Sequence, residues 1–190
     1  MEIPTPYKAV TIGTSAGGIE ALNYLLPHIP AVCRSAFFVV QHIHPSAGTF
    51  FIEALNEKCH IKLREACSTE TIQPGLVYFA PPDYHMLIEK DLTISLSMDE
   101  KVNYSRPSID VLFDSAAVVF KTNLTGILLT GANYDGSQGL KHIHEMGGYT
   151  IVQQPETAAF GEMPSFALKL FTPNEVLSLP QIAQFLKNLK

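Results

Sequence analysis

The chain has 190 residues, 46% of them hydrophobic and 16% charged, a balance that builds one domain with a sizeable core and excludes a disordered or solvating chain. A formal net charge of −5 and a pI near 5.8, with no run of five like charges, give no basic stripe for nucleic acid. The start, MEIPTPYK, lacks the parts of a signal peptide, and apolar runs such as 36–40 and 126–129 fall far short of the roughly 18–20 residues of a membrane helix.

Residues 8–13 read as a first strand and 18–26 as a helix stopped by Pro27. A buried strand follows over 36–41, then a helix around 49–58. Residues 76–80 read as a third strand, ended by Pro81-Pro82. Residues 86–89 and 92–97 flank Lys90-Asp91 as a hairpin. Over 108–121, Ile109, Leu112, Phe113, Ala116 and Val119 recur at helical spacing. A strand over 125–130, a helix over 136–146 and a strand over 149–153 close the strand series. Residues 180–189 read as a terminal helix with proline in its first turn. No repeat or long linker interrupts the pattern, and 81–84 is a loop rather than a boundary, so 1–190 reads as a single domain. Cys33, Cys59 and Cys67, odd in number and without close pairing, read as reduced thiols of a cytoplasmic protein rather than a metal site.

Strand–helix alternation predicts an α/β protein with a mostly parallel, doubly wound sheet and helices on both faces. Ligands of such sheets bind beyond the carboxyl ends of the strands. Ser15 follows the first predicted strand, His42 the second, and Asp135 the strand ending at Thr130. All three fall at one edge of the sheet.

Gly13-Thr14-Ser15-Ala16-Gly17 matches G-x-S-x-G, in which a tight strand-to-helix turn exposes a serine hydroxyl. The helix that follows offers backbone N–H groups and a positive dipole end to an anionic acyl-transfer intermediate. Two other readings stand beside it: Ser15 as a plain helix cap, or a phosphate-cradling loop. For the second there is no G-K-[ST], and Thr14-Ser15 breaks the G-x-G of a dinucleotide fingerprint.

Serine needs a base to take its proton, and the base needs an orienting acid. His42 and Asp135 are the candidates. The alternatives are a satisfied histidine at a strand end and an aspartate capping the helix from Gly136. His42 and His44 can also share a face of an extended chain, with His85 as a third metal ligand, but no patterned carboxylate accompanies them. His142 and His144 lie two apart on a predicted helix and read as surface residues. The order Ser15, His42, Asp135 differs from the Ser, Asp, His order of α/β-hydrolases, and convergence allows other orders.

Six ordered blocks carry a resemblance over nearly the whole chain. They are Ile12-Gly13-Thr14-Ser15-Ala16-Gly17-Gly18; Val40-Gln41-His42; Pro74-Gly75 with Tyr78-Phe79-Ala80-Pro81-Pro82 and His85; Arg106-Pro107-Ser108-Ile109-Asp110-Val111-Leu112-Phe113; Leu129-Thr130-Gly131 with Asp135-Gly136; and Gln153-Gln154-Pro155-Glu156-Thr157-Ala158 with Met163-Pro164. Together they resemble the catalytic domain of the chemotaxis receptor methylesterases, the CheB family.

The resemblance implies a three-layer α/β/α sandwich. It implies hydrolysis of glutamyl methyl esters on the cytoplasmic helices of chemoreceptors with release of methanol, and in some members deamidation of receptor glutamines. It assigns Ser15 as nucleophile, His42 as base and Asp135 as orienting acid, with backbone N–H groups of Ala16 and Ala132 as oxyanion donors. No metal or organic cofactor is expected. Arg106 is expected on the substrate side, where an arginine binds a receptor carboxylate, or else in a structural ion pair with Asp110 or another acid. His85 and Met163 are candidates for the cleft wall, a core position being the alternative for the methionine.

The chain departs from the family where Ala132-Asn133 replaces a frequent Met-Gly; Asn133, which tolerates positive φ, is expected to preserve that loop. It departs again at Gln153-Gln154-Pro155, where Gln-Asp-Pro is frequent. With about seven residues before the first strand, no fused receiver domain is expected, and the chain reads as a standalone esterase or a piece of a methylesterase–methyltransferase fusion. The competing functional reading is a receptor- or partner-binding module of the same fold with weak catalysis. Oligomeric state is left open by the sequence.

Overall fold

The computed structural model describes residues 7–43 and 50–189. His44, and Thr49 at the predicted start of the second helix, lie outside them. Seven strands form one sheet: β1 (Ala9–Thr14), β2 (Ala36–Gln41), β3 (Lys62–Glu65), β4 (Leu76–Phe79), β7 (Leu124–Leu128), β8 (Tyr149–Gln153) and β9 (Glu175–Leu177). Their order is β3-β4-β2-β1-β7-β8-β9. Every pairing in it is parallel. A separate antiparallel hairpin joins β5 (His85–Ile88) to β6 (Ile94–Ser97).

The central strands are buried along their whole length, as in β1 and β2, because helices cover both faces of a parallel sheet. On one face lie α1 (Gly18–Leu25), α2 (Phe50–Asn56) and α6 (Leu179–Lys187), with Leu22, Leu25, Ile52, Leu55, Ile182 and Leu186 in the core. On the other lie α3 (Ile109–Phe120), α4 (Ser137–Glu145), α5 (Glu162–Leu170) and the hairpin. This is the expected three-layer α/β/α sandwich. Helix α3 buries Ile109, Leu112, Phe113 and Ala116 of its predicted stripe, with Phe120 buried in place of the expected Val119, which is only partly buried. Helix α6 starts at a reciprocal Ser178–Gln181 capping box with proline in its first turn, both strong start signals.

Three elements lie outside the sequence expectation. The strand β3 is mostly charged, with Leu63 its one buried residue, as suits an edge strand. The three-residue β9 means that β8 does not close the strand series. Helix α5 begins before Met163-Pro164. Proline fits a first turn, where no intrahelical N–H bond is lost.

Sheet order reverses direction at β1. The next strand in sequence, β2, pairs on one side and β7 on the other, which creates the crevice where ligands of such sheets bind.

Candidate active site

Gly17 caps α1 with φ 75, a left-handed backbone that glycine adopts without strain. A side chain there would also meet Ala159 Cβ at 2.7 Å. The turn between Thr14 and Gly17 therefore closes tightly and leaves Ser15 half-buried at the sheet edge. Three polar ties hold it. Ser15 N–H donates to Thr130 O at 3.0 Å. The Thr130 hydroxyl donates to Ala16 O at 2.9 Å and accepts from Phe160 N–H at 2.9 Å. The Gln41 amide donates to Ser15 O at 2.9 Å and to His42 O at 2.8 Å, bracing the ends of β1 and β2 against each other.

The three candidate triad residues meet. Ser15 Oγ–H donates to His42 Nδ1 at 3.2 Å, and His42 Nε2–H donates to Asp135 Oδ2 at 2.9 Å. With the proton held on Nε2, Nδ1 keeps a bare lone pair and is the basic nitrogen. The two ring nitrogens exchange the positions they hold in serine proteases, Nδ1 facing the serine and Nε2 the aspartate.

Asp135 has no exposed side-chain surface. Five donors reach its carboxylate. Oδ2 accepts from His42 and from Ile109 N–H at 2.6 Å. Oδ1 accepts from Ser108 Oγ–H at 2.7 Å, Asn103 Nδ2–H at 3.0 Å and Asp110 N–H at 3.2 Å. The N-terminus of α3 thus points at Asp135, and its dipole favours the anion. Burial pushes the carboxyl upward, but the His42 bond and charge, with the Ile109 and Asn103 donors, outweigh it and hold Asp135 below the ordinary carboxylate range. Gly136, next in sequence, takes φ 87 to start α4, and a Cβ there would meet Ile109 Cγ2 at 2.5 Å.

A second carboxylate lies behind the first. Asp110 is 6% exposed and accepts from Gly139 N–H and from Asn103 Nδ2–H, each at 2.7 Å. Burial and the nearby charges of Asp135 and Asp114 raise it from 3.8 to about 6, against the lowering effect of the Gly139 and Asn103 donors.

Among the described residues no protein acceptor takes the N–H of Ala16 or of Ala132. The loops that carry them touch: a Cβ on Gly131 would lie 3.0 Å from Ser15 Cβ and 2.6 Å from Met163 Cε. Asn133 does not adopt positive φ. Its side chain bonds instead, Oδ1 accepting from Asp135 N–H at 3.1 Å and Nδ2 lying 3.2 Å from His42 Nδ1.

Of the three residues expected near the substrate, Arg106 and His85 are held by protein partners and Met163 lies in the core. Arg106 pairs with Asp83 Oδ1 through Nε and Nη2, at 3.1 and 2.9 Å, and donates through Nη1 to Met98 O and Asp99 O. This is the structural ion pair offered as the alternative reading, with Asp83 as the acid. His85 is 2% exposed; Nε2–H donates to Glu100 O at 3.1 Å and Nδ1 accepts from Ser108 N–H at 3.1 Å. It is a buried strut under Ser108, with both ring nitrogens bonded to backbone groups. Met163 is fully buried and packs behind Gly131.

The His42 and His85 nitrogens have separate partners, and among the described residues no three His, Cys, Asp or Glu side chains gather to hold a metal. No helix of the described residues is long and apolar enough to cross a membrane. Sequence reading gave no role to Gln41, Asn103, Ser108 or Thr130. Gln41, Ser108 and Thr130 stood inside the quoted blocks. Asn103 had a local signal, since asparagine favours the positive φ it adopts with Tyr104 between the bridged Val102 and Ser105.

Comparison with known proteins agrees with this architecture. The CheB methylesterase family model matches residues 10–186. A Leptospira interrogans protein, provisionally named a protein-glutamate methylesterase/protein-glutamine glutaminase, is 48% identical over 94% of this chain and 92% of its own length. The protein-glutamate methylesterase/protein-glutamine glutaminase of Symbiobacterium thermophilum is 36% identical over 94% of this chain but 49% of its own length. The crystal structure of the Thermotoga maritima CheB methylesterase catalytic domain superposes with a TM-score of 0.91 at 29% identity, covering 96% of this chain and 98% of that one. The chain belongs to the CheB methylesterase family.

Proposed function

We propose that this chain hydrolyses γ-glutamyl methyl esters of chemoreceptor cytoplasmic helices through Ser15, His42 and Asp135, with residues 1–190 acting as one catalytic domain in the cytoplasm. The observation that carries the reading is the connected chain from Ser15 Oγ through the His42 ring to Asp135, at 3.2 and 2.9 Å.

Ser15 Oγ attacks the ester carbonyl carbon while His42 Nδ1 takes its proton. Asp135 stabilises the imidazolium, and the N–H groups of Ala16 and Ala132 receive the oxyanion. The intermediate collapses, Nδ1–H passes its proton to the methoxy oxygen, and methanol leaves the acylated Ser15. Water, activated by the same nitrogen, then releases the glutamate carboxylate. No metal or organic cofactor has a step in this chemistry. A binding module has no need of a buried carboxylate fixing the tautomer of a serine-bonded histidine, which favours the enzyme over that reading.

Ser15→Ala is expected to lower methanol release from a methylated receptor fragment on the order of 10⁴-fold or more while keeping the circular dichroism of the parent. A serine-directed fluorophosphonate should label the parent and not the variant. Unchanged turnover in the variant would overturn the assignment.

A further inference from the structure

Resting on the esterase reading, we propose that Asn133 is the leaving-group residue of this site and biases it toward oxygen esters over amides. The juxtaposition is Asn133 Nδ2 at 3.2 Å from His42 Nδ1, with Ser15 Oγ also at 3.2 Å from that nitrogen. Nδ1 has a single lone pair. In the resting site it is shared between the serine hydroxyl and the asparagine amide.

Once Nδ1 has taken the serine proton, it must pass that proton to the departing atom, which has to come within hydrogen-bond distance of Nδ1. Asn133 Nδ2 borders that position. Its direction is fixed, because Oδ1 accepts Asp135 N–H at 3.1 Å. Rotating the amide by half a turn would set an NH2 against that N–H, so the side chain stays a donor toward the reacting atoms.

A methoxy oxygen has two lone pairs. One receives the proton from Nδ1 as the C–O bond breaks, and the other accepts Asn133 Nδ2–H. The amine nitrogen of a tetrahedral intermediate formed on glutamine has one lone pair, which the same proton consumes as the C–N bond breaks and ammonia leaves. It then faces Asn133 with N–H against N–H. The same donor that assists methanol departure opposes ammonia departure.

The test uses the full chain and one receptor-derived peptide carrying a γ-methyl ester, a γ-methyl thioester or a γ-carboxamide. The thioester sulfur is a poor hydrogen-bond acceptor, so its turnover reports on the site without the proposed Asn133 bond. Asn133→Ala removes the amide, and Asn133→Leu keeps its bulk without its donor. In both variants kcat/KM for the oxygen ester is expected to fall about tenfold, equivalent to about 1.4 kcal/mol. The thioester should change less than about threefold, and the ester-to-amide ratio should fall. Equal changes on ester and thioester, or no change on either, would overturn the proposal while leaving the esterase reading intact. A parent chain without ester turnover would overturn both.

Discussion

Replacing Asp135 with asparagine tests the site through its most heavily bonded group. An amide presents one oxygen and one NH2 where the carboxylate presents two oxygens, so the result turns on which position the nitrogen takes. At Oδ1 it would face Asn103 Nδ2–H and Asp110 N–H, leaving two buried donors unpaired, although the Ser108 hydroxyl can rotate to accept. At Oδ2 it would face Ile109 N–H, which cannot adapt, and His42 Nε2, which can by moving its proton to Nδ1. One orphaned donor costs about 1–3 kcal/mol and two about twice that, so the second arrangement wins. It places a proton on the nitrogen that must accept one from Ser15. Catalysis should therefore fall about 10³–10⁴-fold, as expected when the wrong tautomer is fixed. The melting temperature should fall by about 2–12 °C, from about 2–4 °C per kcal/mol in a chain of this size. Methanol release measures the first, calorimetry the second, and ¹⁵N shifts of the His42 ring report the tautomer directly. A folded variant with activity within tenfold of the parent, or with the proton still on Nε2, would refute the reasoning.

Two further substitutions separate electrostatics from substrate contact. Asp110 is raised from 3.8 in the unfolded chain to about 6 in the folded one, so its stabilising effect is complete below 3.8 and is lost as pH rises through 6. Relative to Asp110→Asn, the parent should lose up to about 3 kcal/mol between pH 4 and pH 7, read as diverging urea midpoints; parallel profiles would refute this. Arg106→Ala should lower stability by about 1–3 kcal/mol through the carbonyls and carboxylate left behind, with KM for the ester peptide within about twofold of the parent. A tenfold rise in KM at unchanged stability would return Arg106 to the substrate side.

The central strands were legible because a parallel strand buried on both faces is a continuous apolar run, as in residues 36–41. Edge strands are not: β3 and β9 are short, partly polar and held by a single neighbour, so their pairing is a tertiary fact. Ser15, His42 and Asp135 were legible because each follows a strand at the same sheet edge. What the sequence could not convey was which polar groups are already used. Arg106 looks like a free cation until Asp83 and two carbonyls are seen around it. His85 looks like a ligand until both nitrogens are found on backbone groups. Asn133 was read for its backbone tolerance, whereas its side chain is what meets the histidine.

The three residues proposed to react follow strands that are neighbours in the sheet, with β1 between β2 and β7. Their separations are therefore set by the spacing of parallel strands, about 4.8 Å apart, rather than by loop conformation alone. Ser15 and His42 directly follow β1 and β2, so pulling either away from the other strains the ladder between two strands that are buried along their whole length. Amides of β1 should exchange with solvent only through global unfolding, and activity on heating should persist until the whole sheet melts, with no earlier inactive state.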